Sequence, residues 1–518
     1  MLRPQTQRQW VSAAVVLVSA TMMISLGGVR VLKDGSFWLD EAAIAYNLLS
    51  MPTLELFGRL DTGHQFPRLY LALINQLRLV FGYETAVLRA LPFGFFVAGV
   101  LLWHRVLWLR FRERPSLLAL GAVLCVVPGV WFVYGAMFKQ YSLDVFLALL
   151  PFLLRDETLD RRWRKGEGFW RLLPWLLPCL FSLSYGIAFL GRFVGYWLGT
   201  ARARGWVPPL RATALLAAGL AAVLLASWWI DLRHAFLENT AFEYWAWRGC
   251  IATGDPAADA RLVGMWAFGW FGASMTFSGK VGLHLAAQVA LIGAFVLGAG
   301  VLLAGAFRPR VETAEMAAWG TRGLSALATV AGLQAAGLLV DYPLCAGRLT
   351  LFAYFSLVLV MLEGLAFLVR AAPTRVTKLA AEGVALVLLA AAVPAARATV
   401  EQMWFVDPRE NIRLLLPAIA TMPERKIVVG ACTENQALTL PEWLGRDDIF
   451  HVDVARRNAE TQWPTEREFW LVATNHGFCP AWTDVTRKQA VLFRLVSRPD
   501  PTITLHHVIM PAPRTRTR

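Results

Sequence analysis

Asp40 and Glu41 stand side by side in the run Phe37-Trp38-Leu39-Asp40-Glu41-Ala42, a few residues beyond a long apolar stretch. Paired carboxylates among aromatic and aliphatic side chains lose hydration, so their placement needs a reason. One reason is structural: Asp34, Gly35 and Ser36 would cap a helix whose first turn carries both acids, a position the helix dipole favours. The other is chemical, because a carboxylate there can act as general base on an acceptor hydroxyl. Basic groups that would complete such chemistry recur along the chain. Arg89 lies in an apolar run, where a guanidinium is costly and faces an interior or a cavity. Its fork suits a phosphate, and Lys139 would add a point charge. Gln140 and Tyr141 follow Lys139 directly; Asp61, His64 and Gln65 precede a short apolar segment; Tyr342 and Arg348 open a late apolar run. Together they suggest a base that activates an acceptor while cations hold an anionic lipid leaving group. Each has a plainer role too: Arg89 snorkelling, Arg348 paired with Asp341, His64 as an ordinary loop histidine. Asp61 and His64 are too isolated for a metal site, and no metal is expected.

The elements that must position these residues are membrane helices. Of 518 residues, 57% are hydrophobic and 17% charged, with a mean hydropathy of +0.49. A soluble chain carries roughly 25% charged residues, so the composition is that of a polytopic membrane protein. The net charge of +14 invites a nucleic-acid partner. The basic residues argue against one, since they collect in short segments between apolar runs, at Arg110–Arg114, Arg155–Lys165, Arg202–Arg211, Arg308–Arg310 and Arg370–Lys378. That is the pattern of cytoplasmic loops.

Arg3 and Arg8 keep the N-terminus inside, and the first span, 10–32, is read as retained rather than cleaved. An outer loop over 33–86 contains a short apolar segment, 69–81, expected to lie in the membrane interface. Further spans are expected near 87–109, 116–134, 143–154, twice within 172–200, then at 210–231, 281–306, 317–340, 344–369 and 379–399. The total is about eleven, which leaves the C-terminus outside. A second large outer loop, 232–280, is rich in tryptophan. Beyond residue 400 the composition changes, and a helix over 411–422 with strands at 426–430, 469–473, 489–496 and 502–509 predicts a small soluble α/β domain, 401–518, on the outer face. The expected architecture is an all-α membrane module, 1–400, followed by that domain. Of six cysteines, Cys125 and Cys179 read as core residues, while Cys432 and Cys479 could pair in an oxidising compartment.

Phe37–Ala42, Gln65-Phe66-Pro67-Arg68-Leu69-Tyr70 and Leu88-Arg89-Ala90-Leu91-Pro92 resemble the opening of GT-C integral membrane glycosyltransferases. The family 39 type, with protein O-mannosyltransferases and the lipid A aminoarabinose transferase, is most similar. Lys139-Gln140-Tyr141-Ser142-Leu143-Asp144, Tyr342-Pro343 and Gly347-Arg348-Leu349 resemble later motifs of a bacterial branch. The resemblance covers roughly residues 10–370, in order, and departs where many relatives have Pro-Pro or Lys-Pro-Pro at the position of Gln65-Phe66-Pro67-Arg68. It implies a multi-pass enzyme of the cytoplasmic (inner) membrane that uses a polyprenyl-phosphate sugar on the outer face, with no further cofactor. It further implies that Asp40 is the base of an inverting transfer and that Glu41 tunes or positions it. Arg348 and Lys139 would hold the lipid phosphate, and Arg89 would brace the first loop. The acceptor would be a lipid, a glycan or a protein.

Two rival readings stand beside it. A transporter or flippase of lipid-linked sugars would use ionisable residues near the midplane, and His104 and Arg105 are the pair that leans that way. A non-catalytic assembly protein would leave Asp40, Lys139 and Arg348 as structural ion pairs.

Overall fold

The computed structural model describes residues 6–33, 37, 39–60, 66–154, 156, 173–204, 210–233, 245–246, 249–271, 285–307, 314–339, 342–345, 348–371 and 374–405, together with five strands beyond them. The helices are α1 (Gln7–Lys33), α2 (Leu39–Ser50), α3 (Arg68–Phe81), α4 (Thr85–Phe111), α5 (Pro115–Val126), α6 (Gly129–Gly135) and α7 (Tyr141–Leu149). There follow α8 (Leu183–Arg204), α9 (Leu210–Ser227), α10 (Pro256–Phe271), α11 (Leu285–Phe307), α12 (Ala314–Leu339), α13 (Leu351–Ala371) and α14 (Arg375–Phe405). Among the described residues, five helices are long and apolar enough to cross a membrane, and six if one bent pair counts as a single span. The protein is therefore a mainly helical membrane protein.

The bent pair lies where one straight span was expected. At Val127-Pro128-Gly129 the chain turns by 59° between α5 and α6, because proline cannot donate the next helical hydrogen bond and its ring clashes with the preceding turn. Residues 172–200 likewise differ from two tilted helices. Pro174 and Pro178 sit in short 3-10 turns, and one continuous helix, α8, follows. The segment 210–231 ends in a π-helical turn, Trp228–Leu232, rather than a plain helix end. Helix α3 has 14 residues, about 21 Å at 1.5 Å per residue, which is short of the roughly 30 Å hydrocarbon core.

The chain divides into two units: one of Met1–Arg30, Gln65–Leu71 and Leu91–Val406, the other of Val31–His64, Ala72–Ala90 and Asp407–Arg518. In the first, α8 packs on α12 through a stripe of small residues. A Cβ built on Gly191, Gly195 or Gly199 would lie 2.2–2.3 Å from Thr329, Ser325 or Thr321. Glycine at this spacing lets two backbones approach without a loss of dispersion contact. Helices α11 and α13 meet in the same way at Gly298 and Gly364. We expect Gly195→Ala to destabilise the purified protein by about 1–3 kcal/mol, since the obstacle is the Ser325 backbone and cannot rotate away. Gly293→Ala, whose Cβ meets nothing within 4 Å, is the matched control in thermal unfolding.

Cys250 and Cys345 form a disulfide across 95 residues, and the Leu344 amide donates to the Cys250 carbonyl at 2.7 Å beside it. This pairing was not read from the sequence, whereas Cys432 and Cys479 lie outside the described residues. Cys125 and Cys179 are buried thiols, as expected. Chain entropy alone gives a closure of this size roughly 4–5 kcal/mol. Cys250→Ser with Cys345→Ser, or reductant, is expected to lower the melting temperature; an unchanged temperature would mean the bridge holds nothing that matters for folding.

The strands beyond residue 405 are β1 (Ile427–Val429), β2 (Ile449–His451), β3 (Glu468–Thr474), β4 (Val491–Leu495) and β5 (Ile503–Ile509), in the order β2-β1-β3-β5-β4. β1 runs parallel to β2 and β3, while β5 runs antiparallel to β3 and β4. β1, β3, β4 and β5 fall on the four apolar runs read as strands, and β2 was not foreseen. The helix expected over 411–422 lies outside the described residues.

Candidate functional site

Asp40 is the second residue of α2 and Glu41 the third. The Asp40 side chain lies outside the described residues. Glu41 is locked: the Arg89 guanidinium donates Nε to Oε1 at 2.9 Å and Nη2 to Oε2 at 2.6 Å, with side-chain exposures of 1% and 0%. The same guanidinium lies over the Phe37 ring, 5.5 Å from its centre. A bidentate fork on a carboxylate is among the strongest protein hydrogen-bonding arrangements, and an aromatic face adds to it. These contacts tie the first turn of α2 to the first turns of α4 from 48 residues away. The fork that suited a phosphate in the sequence therefore holds Glu41 instead. Glu41 follows Asp40 directly in α2, and Arg89 holds that turn through Glu41. The same unit is tightened by Asn75 Nδ2, which donates to Thr53 Oγ1 at 2.8 Å, and by the Tyr83 hydroxyl, which donates to the Ala45 carbonyl at 3.3 Å.

A second group of polar residues belongs to the other unit. Lys139 is buried in the bend between α6 and α7, its amine 5.9 Å from the centre of the Phe66 ring. Phe66 in turn stacks on Tyr70 at 5.6 Å. Gln140 precedes α7 and Tyr141 opens it, with its ring 4.8 Å from that of Tyr134. Thus the motif Lys139–Tyr141 and the lead-in to α3, separated by some seventy residues of chain, are brought together by aromatic packing. Tyr342, half-buried in the loop after α12, donates its hydroxyl to the Leu349 carbonyl at 2.8 Å. It thereby ties the loop to the 3-10 turn Arg348–Thr350. Burial pushes the Tyr342 phenol up, and the neighbouring Asp144 charge pushes it further while Ser184 pulls it back. Asp144, in the first turn of α7, accepts from the Ser182 hydroxyl at 2.5 Å.

Asp61, His64 and Gln65 lie outside the described residues, as does the side chain of Arg348. Among the described residues no group of three or more His, Cys, Asp or Glu could hold a metal. Asp144 was legible as the one acid in a long apolar run after Lys139, but the sequence offered no partner for it. Ser182 and Tyr70 carried no signal beyond ordinary polarity. His104, weighed for transport, is a satisfied core histidine. With Nδ1 donating to the Val100 carbonyl at 2.8 Å and Nε2 accepting from Ser19 Oγ at 2.6 Å, the neutral ring is complete.

Compared with known protein families and with curated proteins, the chain matches none.

Proposed function

We propose that the protein is a membrane glycosyltransferase that moves a sugar from a polyprenyl-phosphate donor to a hydroxyl acceptor on a lipid, glycan or protein. The observation that carries this reading is the buried Glu41–Arg89 fork beneath the Phe37 ring. Such a fork costs desolvation, and what it fixes is the helix turn that holds Asp40, the residue the family resemblance makes the base. The Asp40 carboxylate takes the proton of the acceptor hydroxyl. That oxygen bonds to the anomeric carbon from the face opposite the phosphate, and the carbon–oxygen bond to phosphate breaks. Polyprenyl phosphate leaves with the electron pair. In this reading the chemistry lies on the outer face of the cytoplasmic membrane, the N-terminus is inside, and about eleven segments cross. The strands beyond residue 405 would then belong to an external α/β domain that helps choose the acceptor.

A transporter reading is less favoured because His104 has both ring nitrogens engaged. The direct test offers the purified wild-type protein a panel of polyprenyl-phosphate sugars with a lipid-hydroxyl acceptor. Consumption of one donor, release of polyprenyl phosphate and an inverted anomeric centre in the product are expected. Failure to bind or consume any such lipid would remove the proposal.

A further inference from the structure

We propose that α10 is a clasp on the oxidising face of the membrane, fastened at both ends through Cys345, and that reducing the Cys250–Cys345 bond releases it. The contacts involved do not depend on the transferase reading.

Both ends of α10 converge on one residue. Ahead of the helix, Cys250 is bonded to Cys345, and the Leu344 amide donates to the Cys250 carbonyl. At the far end, Trp270 donates its indole Nε1 to Thr350 Oγ1 at 3.2 Å, and that hydroxyl donates to the Cys345 carbonyl at 2.6 Å. Each bond in such a relay polarises the next and strengthens it. Trp270 and Thr350 are both buried, and the Trp270 ring lies 5.2 Å from that of Tyr354 in the first turn of α13.

The helix between these ends is defined locally. Asp259 accepts from the Thr253 and Gly254 amides at 2.7 and 3.1 Å, Asp255 accepts from the Ala257 amide at 3.2 Å, and Pro256 takes the first helical position. On the other side of the clasp, Leu344 is buried against α12, its side chain 2.3 Å from where a Cβ on Gly337 would stand. The segment carrying Leu344 and Cys345 is therefore held between α10 and α12. With the disulfide reduced, what remains at the Cys250 end is hydrogen bonding, whose net contribution in competition with water is small.

The bond also fixes which helices cross. Disulfides form and persist in oxidising compartments, so the segments holding Cys250 and Cys345 lie on one non-cytoplasmic face. The described helices between them must then cross the membrane an even number of times. Helix α10 has 16 residues, about 24 Å, which is short of the roughly 30 Å hydrocarbon core. Helices α11 and α12, with 23 and 26 residues, reach about 34 and 39 Å and are the two that cross. Among the described residues α12 is not one of the five apolar helices. Its Thr321, Ser325 and Thr329 face the glycines of α8 rather than lipid, which is where a membrane helix keeps such residues.

Two measurements on the wild-type protein test this. In sealed membrane vesicles of each orientation, an impermeant reductant is followed by an impermeant maleimide, and the labelled cysteines are mapped by mass spectrometry. Cys250 and Cys345 should be labelled only after reduction, and only where the non-cytoplasmic face is exposed. Labelling without reductant, labelling from the cytoplasmic face, or no labelling from either face after reduction overturns the proposal. Hydrogen exchange on the purified full-length protein then reads the release. Reduction should speed exchange roughly tenfold or more over 253–271 and 344–350 while leaving α8 and α12 unchanged. Unchanged exchange would mean that α10 is held without the bond, and a uniform rise along the chain would make the bond a general stabiliser; either result overturns the clasp. Trp270→Phe keeps the ring beside Tyr354 and removes the donor to Thr350. With the disulfide intact it should loosen 348–350 alone, and no change there overturns the second fastening.

Discussion

Asp40→Asn is expected to lower donor turnover by about 100- to 10,000-fold while leaving the melting temperature of the purified protein unchanged, the range that loss of a positioned general base produces. The direction follows from the proton balance: the acceptor hydroxyl must lose its proton as its oxygen attacks, and an amide cannot take it. Asp40→Glu keeps the charge but moves the carboxylate along the side chain. Because a displacement near 1 Å can cost about a hundredfold, it too should be slow, with donor binding intact. Release of polyprenyl phosphate from the donor is the readout, and the melting curve reports on the fold. A folded Asp40→Asn protein with wild-type turnover would strip Asp40 of its role, whereas a folded, inactive one excludes an assembly protein in which Asp40 is only structural.

Removing Arg89 should have the largest effect on stability. Arg89→Leu leaves the Glu41 carboxylate buried without its fork, and loss of one partner of a buried pair costs about 3–5 kcal/mol. Glu41→Leu removes the carboxylate that the buried guanidinium grips through both oxygens. The double variant, Glu41→Leu with Arg89→Leu, removes both charges and should recover much of the lost stability, because an apolar pair of similar size spares the desolvation cost. The coupling read from this cycle by thermal unfolding is the quantity of interest. If Arg89→Leu alone melts like the wild type, the fork is not what holds the first turn of α2. Turnover adds a second view: a double variant that is stable yet slow would show that the fork sets the geometry of Asp40 as well as the stability of its helix.

The residues themselves explain how much of this was readable in advance. Long apolar runs at α1, α4, α11, α13 and α14 are written in composition, because a bilayer demands about twenty consecutive apolar residues whatever they pack against. The Pro128-Gly129 break is written locally too, but a local signal does not say how far the chain turns there. Gly191, Gly195 and Gly199 repeat at a spacing that signals close packing, yet nothing local identifies Thr321, Ser325 and Thr329 as the facing stripe. The cysteines make the same point, since the two that pair are 95 residues apart and no spacing rule selects them.

For the candidate site, the sequence by itself determined the chemical types and their order: an acid pair past the first span, an arginine in an apolar helix, and a lysine before a tyrosine-led helix. These depend on hydration cost and chain-local periodicity, which each segment carries within itself. Only the tertiary structure decided the partners. It turned Arg89 from a candidate phosphate ligand into the brace of Glu41, set Lys139 over Phe66, and gave Asp144 the hydroxyl of Ser182. Partner choice depends on which helix faces meet, and a guanidinium, a ring or a carboxylate can be satisfied equally well by many residues until packing leaves one within reach.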